Sequence, residues 1–328
     1  MKTDVLKKLK DDLTLPVIVA PMFIVSKTEM VLASMRAGVI GTFPTLNART
    51  NEELEQWFEH ITQTIEEENK ATEGRKLAPW GVNLIVHHTN PRYEEDLASI
   101  KKYKVPLVIT SLGKPVKEVE VVHEYGGAVF SDVISITHAK KAIEAGVDGL
   151  ILVCNGAGGH GGTLNPFAFV AEVRQFFDGV IILSGTISNG QEIAAAQMLG
   201  ADFAYMGTRF IATEEANAVE AYKEMLIQST AHDILYTDAL SGVRANYLIP
   251  SIERAGYDPD QLEKTGEIKV VHAENEKESK AWKDIWSAGQ GVGSIKDVKP
   301  VAELVETLRD EYAQAITKMN EQSAILVK

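Results

Sequence analysis

The strongest pattern in the chain is an amphipathic stretch that ends in glycine and is followed at once by a short apolar run. It occurs in MVLASMRAGVIGTF, VVHEYGGAVFSD, AKKAIEAGVDGLILV and IAAAQMLGADFAYMG. The runs are apolar throughout, which is typical of parallel strands buried on both faces. A glycine stands at each boundary, where an α-helix needs a left-handed residue to end: Gly38, Gly126 or Gly127, Gly146 and Gly200.

Eight such apolar runs occur in the first 210 residues, and they start about 20 to 41 residues apart. This spacing leaves room for one right-handed helical crossover between successive strands. The pattern therefore predicts an α/β protein with a (β/α)₈ TIM barrel. A doubly wound sheet is the alternative, although eight units would be many for one. The predicted strands are Val17–Met22, Val39–Thr45, Trp80–Val86, Pro106–Ser111, Ala128–Ser135, Gly149–Asn155, Val180–Thr186 and Phe203–Phe210.

The pattern changes after Phe210. Residues 213–290 carry more charge and helical periodicity, as in EEANAVEAYKEMLIQ, and then loops. They predict a smaller, mainly helical insertion subdomain before the last barrel helix, Val301–Asn320, so that the barrel comprises residues 1–212 and 291–328. Such an insertion would leave from the carboxyl ends of the strands, where barrel active sites lie. We expect a lid or substrate-shaping subdomain; a purely structural appendage is the alternative.

Composition narrows the class of protein. The chain has 328 residues, 45% of them apolar, which is enough for a large core. The single cysteine, Cys154, excludes an internal disulfide and fits a reducing cytoplasm. The charged N-terminus does not read as a signal peptide, and no run of about 18 apolar residues predicts a membrane span. The net charge of −13 weighs against nucleic acid as a partner.

Two turns rich in small residues follow the seventh and eighth predicted strands, in LSGTISNG and YMGTRF. Small residues let backbone N–H groups approach an anion closely, and barrels often bind phosphate at this corner. Ordinary tight turns have a similar composition, but two of them on adjacent strands favour phosphate. The candidate phosphate-binding residues are Ser184, Gly185, Gly207 and Thr208.

The segment CNGAGGHGG, residues 154–162, follows the sixth strand. So much glycine is costly in backbone entropy unless close approach or a positive φ is needed. It is not a Walker A loop, because no Lys-Ser/Thr follows. We expect a loop that packs against a flat ligand and presents His160 to it, since histidine suits general-base chemistry at neutral pH. A surface or capping histidine is the alternative.

Weaker candidates lie at the ends of strands one and three. Ala20, Pro21 and Met22 close strand one, where Pro21 marks the end of strand pairing. Asn83 offers a donor and acceptors, which suits a ring imide or a phosphate oxygen. His87 and His88 lack a carboxylate pattern such as HExxH, so no metal site is expected.

These motifs resemble the nitronate monooxygenase (2-nitropropane dioxygenase-like) family of FMN barrels. The related flavoproteins include NADH:quinone reductases and FMN-dependent enoyl-acyl-carrier-protein reductases. The resemblance runs from PVIVAPM through GVNL, GAGGHGG and LGADFAYMGTRF to WSAGQGVG. It implies FMN as cofactor and His160 as the catalytic residue near the flavin N5. It also implies flavin contacts from Ala20, Pro21, Met22, Asn83, Gly158, Gly159 and Gln290, the last in the segment 288–290 that returns to the site, and phosphate contacts from Ser184, Gly185, Gly207 and Thr208.

Two positions depart from the family pattern. Strand five commonly ends in lysine near the pyrimidine side of the flavin, whereas this chain has Asp132. This carboxylate either turns away from the flavin or changes its redox tuning. Strand seven usually ends in Gly-Gly, whereas Thr186 follows Gly185 here, so that part of the phosphate site would rest on a hydroxyl.

The resemblance implies the oxidation of a nitroalkane or its nitronate anion by O₂, giving a carbonyl compound and nitrite. His160 would remove the α-proton or hold the nitronate oxygens. An NAD(P)H-dependent reductase acting on quinones or an enoyl thioester is the rival enzyme. A flavin-free barrel that binds a phosphorylated ligand is a third alternative.

Overall fold

A computed structural model describes residues 2–71, 76–262 and 284–326. In these ranges eight parallel strands form a ring in the order β1-β8-β7-β6-β5-β4-β3-β2, and a parallel bridge between Ile18 and Ile40 joins β2 to β1. The predicted (β/α)₈ barrel is therefore confirmed. The strands are β1 (Val17–Val19), β2 (Gly41–Pro44), β3 (Trp80–Ile85), β4 (Leu107–Ser111), β5 (Ala128–Val133), β6 (Gly149–Val153), β7 (Val180–Ser184) and β8 (Phe203–Met206).

Helices alternate with these strands and surround the ring. The last of them packs against the second and eighth helices. None of the helices within the described ranges is long and apolar enough to cross a membrane. The helices are α1 (Lys2–Lys10), α2 (Thr28–Ala37), α3 (Asn51–Ala71), α4 (Tyr93–Tyr103), α5 (Val116–Glu124), α6 (Ile136–Glu144), α7 (Pro166–Val173), α8 (Gly190–Met198), α9 (Thr208–Ile211), α10 (Glu220–Gln228), α11 (Ile249–Arg254) and α12 (Val301–Leu326).

The glycines predicted to end helices have the expected left-handed backbone conformation. Gly38, Gly126, Gly146 and Gly200 have positive φ, and each stands just after a helix. Five of the eight strands end one or two residues before their predicted ends, β4 ends as predicted, and β1 and β8 end three and four residues early. The turns place Ala20, Pro21 and Met22 after β1 and Gly185 after β7, whereas Asn83 and Ser184 stay within their strands.

The core has two layers. Inside the ring, apolar side chains from the strands form one buried cluster that includes Ile109, Phe130 and Phe203. Between the strands and the helices lies a second, larger cluster, in which Phe58 contacts the rings of Phe43 and Trp80. Helix α1 adds Leu9 to the inner cluster and places Lys10 over the Phe203 ring. Helix α1 thus covers the amino ends of the strands and leaves their carboxyl ends as the open mouth.

The region between β8 and α12 contains α9 to α11 and a β-hairpin of strands β9 (Ile234–Thr237) and β10 (Ala245–Leu248). The hairpin continues onto the barrel, because Ala245 and Asn246 pair antiparallel with His160 and Gly159. The prediction of a mainly helical region missed this hairpin. Residues 263–283, which belong to the same predicted subdomain, lie outside the described residues.

Asn165 is expected to stabilise the start of α7. Its side chain accepts a hydrogen bond from the Phe167 N–H at 2.9 Å, and Pro166 occupies the first turn. Asn165→Ala should lower the free energy of unfolding by about 1 kcal/mol, whereas Asn165→Asp should preserve it. Urea unfolding measures both values. Equal stabilities for the wild type and Asn165→Ala would contradict this assignment.

Candidate functional site

A wide cavity of about 3380 Å³ opens at the carboxyl ends of the strands. The structure brings together there all but one of the site residues predicted from the sequence. The exception is Gln290, whose neighbours Gly289 and Gly291 line the cavity instead. The residues that line it as predicted are Ala20, Pro21, Met22, Asn83, Gly158, Gly159, His160, Ser184, Gly185, Gly207 and Thr208.

The two turns with small residues are neighbours in space because β7 pairs with β8. Gly185 has a φ of 122°, and a Cβ there would lie 3.0 Å from the Asn155 carbonyl oxygen. The Thr208 hydroxyl accepts a hydrogen bond from the Gly289 N–H at 2.9 Å and retains its own proton for donation. This corner therefore offers an anion close access to the backbone and one hydroxyl donor. Its residues Gly185, Gly207 and Thr208 are called the phosphate corner below.

Thr186 lies in the same corner with a left-handed backbone, at φ 60°. Its hydroxyl donates to the Gly185 carbonyl at 2.7 Å, so in this structure it faces its own backbone. Ile24 and Leu112, which also line the cavity, have φ values of 67° and 64°. Such conformations cost on the order of 1–3 kcal/mol for a residue with a side chain, and they cluster at functional sites.

Residues of the region that follows β8 hold the glycine loop, residues 154–162, in place through hydrogen bonds. The Asn246 side-chain amide donates to the Ala157 carbonyl at 2.6 Å, and the Tyr236 hydroxyl donates to the Gly161 carbonyl at 2.7 Å. The backbone N–H of Gln290 donates to the Gly156 carbonyl at 2.9 Å. Gln290 therefore supports the loop, and its direct contact with a cofactor stays a prediction.

Gly158 lies where the loop meets the chain returning after residue 283. A Cβ at this position would lie 2.9 Å from the Gly289 nitrogen and 3.1 Å from the Ala288 carbonyl carbon. Both neighbours are backbone atoms, which cannot rotate away as a flexible side chain can. Glycine is thus required at Gly158 by close packing of two backbone segments.

His160 extends from this loop into the cavity. Its backbone pairs with Ala245, and its imidazole is accessible from the cavity. The surrounding protein partly removes the ring from water and lowers the pKa of His160 to about 4. The imidazole is therefore neutral at pH 7, with one nitrogen able to donate a hydrogen bond and the other able to accept one.

We expect the His160 ring to stay neutral through the range in which an ordinary histidine titrates. Between pH about 4 and 6.5 the unfolded chain binds a proton that the folded protein does not, so this residue makes the free energy of unfolding decrease as the pH is lowered through that window. NMR titration of the imidazole resonances, with His160→Asn to assign them, measures the pKa. A midpoint near 6.5 would contradict the expectation.

A second polar cluster crosses the cavity floor on three neighbouring strands. The Asn83 side-chain amide donates to the Ser111 hydroxyl at 2.7 Å, and this hydroxyl donates to Asp132 Oδ2 at 2.6 Å. Burial raises the pKa of Asp132 to about 6, while the Ser111 hydrogen bond acts in the opposite direction. Asp132 lines the cavity, so it does not turn away from the site.

Apolar side chains line part of the cavity opening, next to charged ones such as Lys114 and Lys141. Phe23, Ile24, Leu112 and Ile134 are each about two-fifths exposed and line the opening. Exposed apolar side chains that converge on one opening are typical of a ligand-binding surface. The cavity thus combines apolar walls, a polar floor and an anion-accepting corner.

Other candidate residues lie elsewhere. Cys154 is buried outside the cavity wall, and burial raises the pKa of its thiol to about 12. The rings of His87 and His88 lie 4.1 Å apart, also outside the wall. In the described part of the chain, His, Cys, Asp and Glu side chains form no group of three that could hold a metal ion.

Two functional features were missed in the sequence. The runs ILYT and ANYL, separated by DALSGVR, are short strand-like segments on either side of a turn, which is the pattern of a hairpin. Ser111 was recognised only as a strand end; its link to Asn83 and Asp132 depends on the register of β3, β4 and β5, which a single sequence does not show.

Together, the fold and site define a (β/α)₈ barrel with a ligand cavity at the carboxyl ends of its strands, built from a glycine loop and a corner of small residues. The family model described as nitronate monooxygenase matches residues 6–311. The chain therefore belongs to the nitronate monooxygenase family.

Individual relatives are more distant. The nitronate monooxygenase of Paraburkholderia phytofirmans is 30% identical over 243 residues, which cover 69% of this chain and 66% of that protein. Among the first four curated relatives the match spans 58% to 66% of the relative's own length.

Two solved structures resemble the whole chain. FabK from Thermotoga maritima superposes with a TM-score of 0.77 at 25% identity, covering 98% of both chains. The nitroalkane oxidase from Streptomyces ansochromogenes superposes with a TM-score of 0.78 at 23% identity, covering 95% of this chain and 99% of that one. The second likeness shows a shared fold.

Proposed function

We propose that this protein is an FMN-dependent oxidoreductase that oxidises alkyl nitronates with O₂ to carbonyl compounds and nitrite. The observation that carries the proposal is the imidazole of His160, which a glycine loop places at the cavity in a chain of the nitronate monooxygenase family. The curated relatives with this name support the same chemistry.

The residues of the cavity fit FMN. The corner at Gly185, Gly207 and Thr208 offers close backbone access and a hydroxyl donor for the phosphate. The floor at Asn83 and Asp132 offers polar partners for the nitrogen and oxygen atoms of the ring. Apolar side chains on the rim match the dimethylbenzene part. When bound, FMN would supply the electron acceptor for the substrate and pass the electrons to O₂.

His160 is suited to an anionic substrate. A neutral imidazole donates one hydrogen bond to a nitronate oxygen without first losing a proton. A base whose pKa lies near 4 removes a proton from carbon less readily than one poised near neutrality. We therefore infer that the substrate is bound as the nitronate and that His160 holds its oxygens.

One observation favours a second candidate, an NAD(P)H-dependent flavin reductase. The superposition on FabK covers nearly the whole of both chains. In addition, a cavity of about 3380 Å³ exceeds the roughly 300–1,000 Å³ of a typical ligand site and leaves space for a second molecule beside the flavin. The same glycine loop and phosphate corner would serve this activity.

Two measurements on the purified protein test the proposal. The visible spectrum and a cofactor assay should show bound FMN, and a colourless protein that binds no added FMN would refute it. Steady-state assays should then show faster turnover with propyl nitronate and O₂ than with NADH and a quinone. The opposite order would favour the reductase.

A further inference from the structure

Asp132 combines three properties that go beyond its place as a polar residue of the cavity floor. It lies at the end of β5 and lines the cavity. Its Oδ2 atom accepts a hydrogen bond from Ser111 at 2.6 Å. Its Oδ1 atom is buried and has no hydrogen-bond partner within the described residues. A buried carboxylate oxygen without a donor is costly, so this atom requires either a proton or a ligand.

The hydrogen bonds fix where that proton can lie. Asn83 also approaches the Ile109 carbonyl at 3.3 Å, so its side-chain nitrogen, and not its oxygen, faces both Ile109 and Ser111. The Ser111 hydroxyl thus accepts from Asn83, and its single proton goes to Asp132 Oδ2. These hydrogen bonds run in one direction, from Asn83 through Ser111 to Asp132. When the carboxyl is neutral, its proton is therefore on Oδ1.

The position of Asp132 relative to the phosphate corner suggests its partner. Strands β3 to β5 lie across the ring from β7 and β8, where the small-residue turns are found. A flavin held at that corner would have Asn83, Ser111 and Asp132 on the opposite side of the ring of strands. The pyrimidine edge is the polar edge of its ring system, and it carries acceptor atoms that an apolar wall would leave without a hydrogen bond.

We propose that Asp132 is a neutral carboxylic acid that donates a hydrogen bond from Oδ1 to the pyrimidine edge of the bound flavin, with Ser111 and Asn83 fixing the oxygen that carries the proton. This inference rests on the proposed binding of FMN. Burial already raises the pKa of Asp132 to about 6, and a planar ring that displaces water above it favours the neutral form further.

The other titratable groups around the carboxyl keep one charge state across the relevant pH range. Tyr205 on β8 faces Asp132, and burial together with the Asp132 charge raises its pKa well above the usual 10. The adjacent strand β6 leads to Cys154, whose pKa of about 12 keeps the thiol neutral. Ser111 is the partner on β4. His160, in the same cavity, is neutral above its pKa of about 4. His138 and Lys141 on α6 also line the cavity and are present in both the wild type and Asp132→Asn. A charge change that is lost in Asp132→Asn is therefore assigned to Asp132.

The consequence is a flavin whose midpoint potential depends on the Asp132 proton. Below the carboxyl pKa the neutral acid adds no charge. Above it the carboxylate repels the electrons that reduce the ring, and the potential decreases. Asp132→Asn keeps the shape and a donor but cannot ionise, so its potential should follow that of the wild type at low pH and stay higher at high pH.

The test is the midpoint potential of the FMN-loaded wild type and Asp132→Asn between pH 5.5 and 9, measured by anaerobic spectroelectrochemistry. The two potentials should be equal at low pH and should diverge between the carboxyl pKa of the oxidised protein and its higher value in the reduced protein. In that range the slopes differ by up to one proton, or about 30 mV per pH unit for a two-electron couple, and at higher pH the difference in potential stays constant. Ser111→Ala removes the hydrogen bond that favours the carboxylate, so it should move the divergence to higher pH.

Each outcome decides between the claims. Lines that run parallel or coincide at every pH would overturn the assignment to Asp132, as would a Ser111→Ala variant whose divergence does not move. If Asp132→Asn does not fold, the pH at which the potential of Ser111→Ala changes slope, compared with the wild type, decides alone. A wild-type protein that binds no FMN on titration refutes the proposed function as well, whereas one that binds FMN and gives parallel lines refutes the Asp132 inference only.

Discussion

His160→Asn is expected to lower kcat/KM for propyl nitronate by about 100-fold or more, which is typical of losing a positioned proton-transfer or hydrogen-bonding group. The physical reason is that His160 is held at the cavity by backbone pairing with Ala245, so asparagine at this position would not reach the same substrate atoms. Bound FMN should remain, since the phosphate corner and the cavity floor are unchanged. Steady-state kinetics on variants of equal flavin content measure the effect.

The matched control is His60→Asn. His60 is exposed on α3, far along the chain from the glycine loop and outside the cavity wall. Its variant should keep wild-type kinetics. A His160→Asn protein that oxidises propyl nitronate at the wild-type rate would remove His160 from the proposed reaction.

Gly158→Ala is expected to weaken FMN binding by about 10- to 100-fold, the equivalent of roughly 1–3 kcal/mol of overpacking. The added methyl group would lie 2.9 Å from the Gly289 nitrogen and 3.1 Å from the Ala288 carbonyl carbon. Relief requires the glycine loop and the returning segment to separate, which widens the wall that the flavin contacts. Titration of the apoprotein with FMN, followed by flavin fluorescence, gives the dissociation constant.

Gly161→Ala is the control from the same loop. Its Cβ would meet no atom nearer than the Ala157 carbonyl oxygen at 3.4 Å, which is an ordinary contact. The FMN affinity of this variant should stay close to that of the wild type. Equal affinities for Gly158→Ala and Gly161→Ala would show that close packing at Gly158 does not shape the flavin site.

The barrel could be predicted from the sequence because its signal is local and repeated. Strands buried on both faces are apolar throughout, and a left-handed residue such as Gly38 or Gly146 ends the helix before the next strand. The positions of Gly185, Gly207 and His160 followed, because in a barrel every strand ends at the same mouth. These predictions required the order of the elements and not their contacts.

The polar floor and the hairpin could not be derived in the same way. The link from Asn83 through Ser111 to Asp132 joins residues 28 and 21 positions apart, and it depends on the register of three strands. The pairing of Ala245 with His160 joins two segments that loops bring together. Such contacts depend on the folded geometry. The sequence marked Asp132 as unusual, but its two oxygens differ only because Ser111 bonds one of them.

The placement of His160 and the small residues at the phosphate corner support one proposed reaction. In the proposed reaction the cavity would bind FMN, His160 would hold a nitronate anion, and O₂ would be the final electron acceptor. An account based on nicotinamide reduction needs the same cofactor site but a different electron donor. The two accounts therefore differ in the molecule that reduces the flavin.

The most direct measurement is anaerobic stopped-flow mixing of the FMN-loaded protein with propyl nitronate, and separately with NADH, while the visible flavin absorbance is followed. The account predicts rapid loss of oxidised-flavin absorbance with propyl nitronate, slower loss with NADH, and nitrite after O₂ is admitted to the first mixture. Unchanged absorbance and no nitrite with propyl nitronate, together with rapid bleaching by NADH, would contradict it.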